Sequence, residues 1–333
     1  MTKIDIISGF LGAGKTTLIR KLLEEAYNEE KIVLVENEFG EIGIDSGFLK
    51  DSGIKIEELN SGCICCTLIG DFKKSLTEVI ETFNPDRILI EPSGVGKLSD
   101  VMLSVKSVEK DYPDAKLNGL VTVVNASKAH KQMKAFGEFF SDQLENAATI
   151  ILSRTQTTDE EKLEACVLEI KEVAPNAAII TTPWDEIEGR QILNVIEGQN
   201  SFMDEMMKKC EHEHHHGEGC CHEHKHSHEH HHEEEHLHEH HHADEIFESW
   251  GKETPHKFSK DKLESFLKIF TGTEDYGTIL RAKGIVPSEN DTWIYFDMVP
   301  GEYDIREGQP DYTGRICVIG TDLKEDKLDE LFS

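Results

Sequence analysis

The sequence predicts an α/β fold, a mostly parallel sheet flanked by helices, followed by a small α+β domain. Three observations predict it: a glycine-rich loop set between an apolar strand and a helix, a regular strand and helix alternation up to residue 200, and a change of pattern after residue 250. The loop runs from Gly9 to Thr16, G-F-L-G-A-G-K-T, and matches G-x-x-x-x-G-K-[ST] in full. Gly9, Gly12, Ala13 and Gly14 let the backbone wrap an anion with its N–H groups, and the helix behind adds its partial positive charge. Lys15 then reaches the β and γ phosphates, the Thr16 hydroxyl ligates Mg2+, and Thr17 joins the phosphate-binding set. The fold class is that of a phosphate-loop NTPase, and its ligand a nucleoside triphosphate.

At 333 residues the chain exceeds what one core usually serves. The composition divides it into a phosphate-loop domain over 1–200, a His/Glu-rich linker over 201–250 and an α+β domain over 251–333. Lys plus Arg number 35 against 65 Asp plus Glu, a formal charge of −30, which repels nucleic acid and anionic membrane and favours cations as partners. The first strand begins almost at once, with no basic or apolar leader, and no later run is long enough to span a bilayer; a cytoplasmic protein is expected. Six of the eight cysteines fall into two clusters, which in such a chain argues for reduced thiols and metal rather than disulfides. Cys166 and Cys317 stand apart and read as packed core residues, and lone His130 and His256 as surface residues.

In order, Lys3 to Ser8 is the first buried strand and Thr17 to Leu23 has helical apolar spacing. Lys31 to Val35 is a second strand, which empties into the acidic, glycine-punctuated segment Glu36 to Asp45. In a phosphate-loop protein the loop at this place senses the γ-phosphate, and Glu38, Glu41 and Asp45 are its candidates for holding metal or positioning water. Asn60 to Thr67 carries Cys63, Cys65 and Cys66 on a glycine turn. Three thiols can converge on one soft cation, and a tetrahedral site then lacks one ligand, for which Glu41 is the candidate. Leu68 to Phe83 is helical. Arg87 to Gly94 is an apolar strand ending in E-P-S-G, where Glu91 supports Mg2+ and Gly94 meets the γ-phosphate.

Asn118 to Asn125 is a strand, Ser127 to Asn146 one long helix, and Ala148 to Leu152 a strand that ends in Ser153-Arg154-Thr155-Gln156. A helix at Asp159 to Val173, a strand at Ala177 to Thr181 and a helix near Gln191 complete the alternation. From Cys210 to His242 the composition changes, with sixteen of the eighteen histidines interleaved with glutamates. No apolar periodicity survives there, so the tract is expected to be disordered without metal. His214, His215, His216, Cys220, Cys221, His222 and His224 are its candidate ligands for Zn, Ni, Co or Cu ions. After it come a helix at Ser259 to Phe270, strands at 278–286, 292–298 and 314–320, and a closing helix at Leu323 to Phe332.

Taken together, G-F-L-G-A-G-K-T, N-E-F-G-E-I-G-I-D, G-C-I-C-C, E-P-S-G, the histidine-rich linker and the R-A-K-G strand at Arg281 to Gly284 resemble the CobW-like metal-chaperone GTPases, relatives of the nickel and cobalamin enzyme maturation factors. The resemblance covers nearly the whole chain. It implies a GTPase that loads or traffics a transition metal, Zn2+ or Co2+ foremost and Ni2+ also suited, and passes it to a client metalloenzyme in its apo form. Cys63, Cys65 and Cys66 would take the thiolate positions, and Lys15, Thr16 and Glu91 the nucleotide and Mg2+ roles. Related GTPases also form nucleotide- or metal-dependent homodimers. The family's base-reading N-K-x-D is here Ser153-Arg154-Thr155-Gln156, and Gln156 cannot copy a bidentate carboxylate. Loss of that charge-assisted pair weakens guanine preference by about 1.5–3 kcal/mol, so GTP and ATP both stand as nucleotides. Ser153, Arg154 and Gln156 remain the base-site candidates, with the Arg154 stem covering the base face. The rival readings are a histidine-rich metal buffer with a structural nucleotide, and a small-molecule kinase, against which stands the lack of an arginine cluster between the motifs.

Overall fold

The computed structural model describes residues 1–27, 30–36, 55–58, 69–199, 246–290, 292–309, 311 and 313–333. Glu38, Glu41, Asp45, the three clustered cysteines at 63, 65 and 66, and the histidine-rich tract lie outside them.

The first domain alternates as its apolar pattern predicts. Its elements are β1 (Thr2–Gly9), α1 (Lys15–Glu25), β2 (Ile32–Glu36), β3 (Lys55–Glu58), α2 (Ile69–Phe83), β4 (Arg87–Glu91), α3 (Leu98–Asp111) and β5 (Ala115–Asn125). Then follow α4 (Ala129–Ala135), α5 (Gly137–Glu145), β6 (Thr149–Ser153), α6 (Glu160–Val173), β7 (Ala178–Ile180) and α7 (Gly189–Glu197). Among the described residues the strands form a seven-stranded sheet in the order β3-β2-β4-β1-β5-β6-β7, every pairing parallel. The central strands β1, β2 and β4 are buried on both faces, as near-continuous Ile, Val and Leu runs require. The loops at the carboxyl ends of β1 and β4 therefore meet at one crevice.

Two expectations about helices need correction. The predicted helix over Ser127 to Asn146 is two helices, broken where Phe136 leaves helical geometry at φ −133° and ψ 39° ahead of Gly137. That break lets the Phe136 ring stack on Phe10 of the phosphate loop, centroids 5.1 Å apart. The helix α3 stands where the sequence reading assigned no element, burying Leu98, Val101, Met102, Val105 and Val108 at helical spacing.

The second domain consists of β8 (Glu248–Thr254), α8 (Lys260–Gly272), β9 (Thr278–Pro287), β10 (Trp293–Val299), β11 (Glu302–Gly308), β12 (Gly314–Thr321) and α9 (Glu325–Leu331). Its antiparallel sheet has the order β11-β10-β9-β12-β8. The sheet begins at Glu248, inside the stretch assigned to the linker, and β8 and β11 are strands additional to the three expected. In β11, E-Y-D-I-R-E-G is an edge strand too polar to show an apolar alternation.

Side chains alternate between the faces of this sheet. Ala282, Val286, Ile294, Phe296, Met298, Ile316 and Val318 pack on Leu263, Phe266, Leu267 and Phe270 of α8 and on Phe332. The opposite face carries Ile285, Cys317 and Ile319, which join the core of the first domain. Phe247 enters that core as well, edge-on to Phe139 with centroids 5.1 Å apart and tilted on Phe136 at 5.6 Å. One face of the C-terminal sheet thus makes its own core while the other adheres to the nucleotide domain. Cys166 and Cys317 are buried, as expected, and burial pushes the Cys166 thiol up to about 11. His130 is exposed, beside Glu169 at 2.6 Å, and His256 is exposed.

At the far end of the parallel sheet Arg87, fully buried, binds Asp5, Glu30 and Glu197 and lies 4.6 Å over the Tyr27 ring. Burial raises the Asp5 carboxyl against the pull of Arg87 and Asn118. For Glu197 burial also raises, yet hydrogen bonds from Lys3 and Arg87 hold it below its ordinary value. This network joins β1, β4 and the end of α7, away from the phosphate loop.

Candidate functional site

The site is built from the loop outward. Gly9, Gly12 and Gly14 adopt φ of +142°, +69° and +103°, the backbone that lets successive N–H groups turn toward one concavity. Close approach fixes two of them. A Cβ on Gly9 would stand 2.3 Å from the Val123 carbonyl oxygen, and one on Gly12 would stand 2.6 Å from Val299 Cγ1 of the second domain. Ala13 is buried, and Ser153 Oγ donates to its carbonyl at 2.6 Å, so the end of β6 braces the loop. Trp184 lies over Gly14 and donates its indole N–H to the Leu152 carbonyl at 3.0 Å.

Lys15 is 6% exposed, and its Nζ donates to the Gly9 carbonyl at 2.9 Å, which holds the ammonium across the loop. Thr16 Oγ1 donates to Glu91 at 3.1 and 3.3 Å from its two oxygens. A hydroxyl and a carboxylate facing each other across the crevice are the oxygen donors that suit Mg2+, so the residues present fit that ion. Gly94 presses on the loop: a Cβ there would stand 2.7 Å from Leu11 Cδ2 and 2.9 Å from its amide nitrogen. Behind it, fully buried Gln143 of α5 donates through Nε2 to the carbonyls of Gly96 at 2.8 Å and Gly94 at 3.3 Å. Gln143 was not among the sequence candidates; a glutamine on the buried stripe of an amphipathic helix was its one signal.

Over the loop stands a cleft of about 530 Å3, lined from the first domain by Gly12, Gly14, Lys15, Thr16, Thr17, Arg20, Glu91 and Arg154. From the second domain it is lined by Arg281, Asp297, Val299, Glu302, Tyr303, Asp304 and Arg306. These seven are contributions no linear motif announced, except that Arg281 opens R-A-K-G. Arg281 Nη2 donates to Asp297 at 2.8 Å, Arg306 Nη1 to Asp304 at 2.6 Å, and Arg154 Nη1 to Glu302 at 2.6 Å. The sequence has no arginine cluster between its motifs, yet the fold brings Arg20, Arg154, Arg281 and Arg306 from four distant places to one cleft. Three of them face carboxylates, which distinguishes this wall from the unneutralised basic lid of a kinase.

In the segment after β6, the expected base site, Arg154 sits at φ +60° and reaches the second domain, and Gln156 is exposed on a short 3-10 turn outside the cleft lining. Lys128, 3.9 Å from Glu302, has its ammonium pushed down by burial and by Arg154 against the opposing pull of Glu302. Among the described residues no group of three or more His, Cys, Asp and Glu side chains could hold a metal ion, and no helix is long and apolar enough to cross a membrane.

Comparison with known proteins adds the following. The family model for the CobW/HypB/UreG nucleotide-binding domain matches residues 3–181, and that for the cobalamin synthesis protein cobW C-terminal domain matches residues 247–333. The zinc chaperone CobW of Sinorhizobium sp is 33% identical over 64% of this chain and 68% of its own length. The zinc chaperone YeiR of Escherichia coli is 30% identical over 65% of this chain, a match spanning just under two thirds, 64%, of that protein. The Zn(II)-bound YjiA GTPase of E. coli aligns over 99% of this chain and 98% of its own at 21% identity, with a TM-score of 0.46.

Proposed function

Because this chain belongs to the CobW/HypB/UreG family, we propose that it is a metallochaperone GTPase whose nucleotide state sets its affinity for a transition metal. The observation that carries this reading is topological. β2, β3 and β4 lie side by side and parallel, with Glu36 in register with both Glu58 and Glu91. The segment bearing Glu38, Glu41 and Asp45 leaves from the end of β2, and the segment bearing Cys63, Cys65 and Cys66 leaves from the end of β3. Both therefore depart from the carboxyl end of the sheet, the end at which Glu91 meets Thr16. A change at the γ-phosphate is felt where the cargo ligands begin.

In this account the loop amides and Lys15 bind the β and γ phosphates, and Gly94 approaches the γ-phosphate through its backbone. Thr16, supported by Glu91, would hold Mg2+, which neutralises charge on the β and γ oxygens when bound. Glu38 or Asp45 orients the attacking water. Zn2+ or Co2+, with Ni2+ a further fit, is the cargo of the three thiolates, closed by Glu41 while triphosphate is bound. Hydrolysis relaxes the loop and frees the ion for a client metalloenzyme. Reciprocity then requires the metal to tighten triphosphate binding by the factor by which triphosphate tightens the metal.

Lys15→Ala should abolish GTP turnover, and Cys65→Ser should remove one tightly held ion while leaving turnover measurable. Unchanged hydrolysis in the lysine variant would contradict the mechanism. The density of histidine between 212 and 242 favours a second reading, a metal buffer, which predicts many weakly held ions insensitive to both Cys65→Ser and nucleotide.

A further inference from the structure

Guanine offers N1–H and N2–H as adjacent donors, and a carboxylate is the side chain that accepts both. The segment at the base-reading position contains none. Its Ser153 hydroxyl is engaged with Ala13, and Gln156 is exposed and off the cleft. Arg154 does line the cleft, and a carboxylate stands on it, Glu302. The position follows from register. Val299 pairs with Glu302 across β10 and β11, so both side chains share one sheet face, and Val299 is the residue that lies against Gly12. Glu302 is thereby one strand spacing, about 4.8 Å, from the wall over the phosphate loop, on the Arg154 side. The other cleft carboxylates have partners away from the 153–156 segment: Glu91 meets Thr16, Asp297 meets Arg281, and Asp304 meets Arg306.

We infer that Glu302, carried by the second domain, is the residue that reads guanine, with Arg154 positioning it. This rests on the cleft holding a guanine nucleotide. A carboxylate has about four lone-pair sites, so the bond from Arg154 to one oxygen, with Lys128 3.9 Å from the other, leaves acceptors for the base. The acceptor missing from the linear motif is supplied through tertiary structure, and base identity is sensed by the same domain that packs on the phosphate loop.

The test is binding of GDP, ADP and the xanthine diphosphate XDP to the 333-residue chain, to Glu302→Gln, and to Glu307→Gln as a charge-matched control on the exposed edge strand. Wild type should prefer GDP to ADP. Glu302→Gln should lose GDP affinity by on the order of ten- to a hundredfold and gain XDP affinity, because the amide donates to the xanthine 2-carbonyl where the carboxylate repels it. That gain is something a merely structural loss would not produce. Should Glu302→Gln fold poorly, Glu302→Asp keeps the charge and shortens the reach, and it should weaken GDP while sparing ADP. A GDP to ADP ratio unchanged in these variants overturns the role of Glu302 alone. A wild type that binds no nucleotide overturns the nucleotide reading and this inference with it.

Discussion

Gln143 is where a single side chain governs the crevice, because its amide is the tie between α5 and the loop that carries Gly94. Replacing it with leucine leaves two buried carbonyls unpaired, at a cost of about 1–3 kcal/mol. Gln143→Leu should lower kcat for GTP while GDP affinity stays near wild type, since GDP does not call on Gly94. Steady-state turnover beside a GDP titration checks it, and an unchanged kcat would contradict it. The phosphate-loop residues were legible because their chemistry is local, eight consecutive positions that need only a strand before and a helix after. Gln143, Val299 and Glu302 were not. They reach the loop from 49 positions beyond Gly94 in one case and from the other domain in the others, and no window of sequence contains that proximity.

At the scale of elements, apolar runs gave β1, β2, β4, β5 and β6 of the parallel sheet, whose Ile, Val and Leu content leaves little choice, while edge strand β3, Lys-Ile-Glu-Glu, carries no such run. The sequence reading omits α3 although its helical period was there to be read, and it fuses α4 with α5 because no proline marks the break at Phe136. The break at Phe136, just ahead of Gly137, goes with a tertiary contact, the stacking of Phe136 on Phe10, joined by Phe247 from the segment just ahead of β8. Phe247 is 1% exposed. Phe247→Ala should therefore destabilise the protein by about 3–5 kcal/mol, the range for emptying a buried aromatic site. Denaturant unfolding measures this. Because Phe10 belongs to the phosphate loop, the same variant should also weaken nucleotide binding; a loss below about 1 kcal/mol would show that the two domains pack independently.

At the scale of the whole molecule, the first domain presents a phosphate-loop cleft at the carboxyl end of the central strands of its parallel sheet, and the second sets a face of ion pairs over it. The formal charge of −30 surrounds this cleft with a field that draws cations. In the proposed mechanism one equilibrium, loop ordered or relaxed, is biased both by the γ-phosphate and by the cargo ion. The measurement that tests it most directly is a competitive titration of Zn2+ and Co2+ on protein lacking residues 210–242, with Mg2+ and either a non-hydrolysable GTP analogue, its ATP counterpart or GDP. The account predicts one ion held much more tightly with the GTP analogue than with GDP, and the guanine analogue outperforming the adenine one. Equal metal affinity in every nucleotide state would contradict it and leave a metal buffer as the better description.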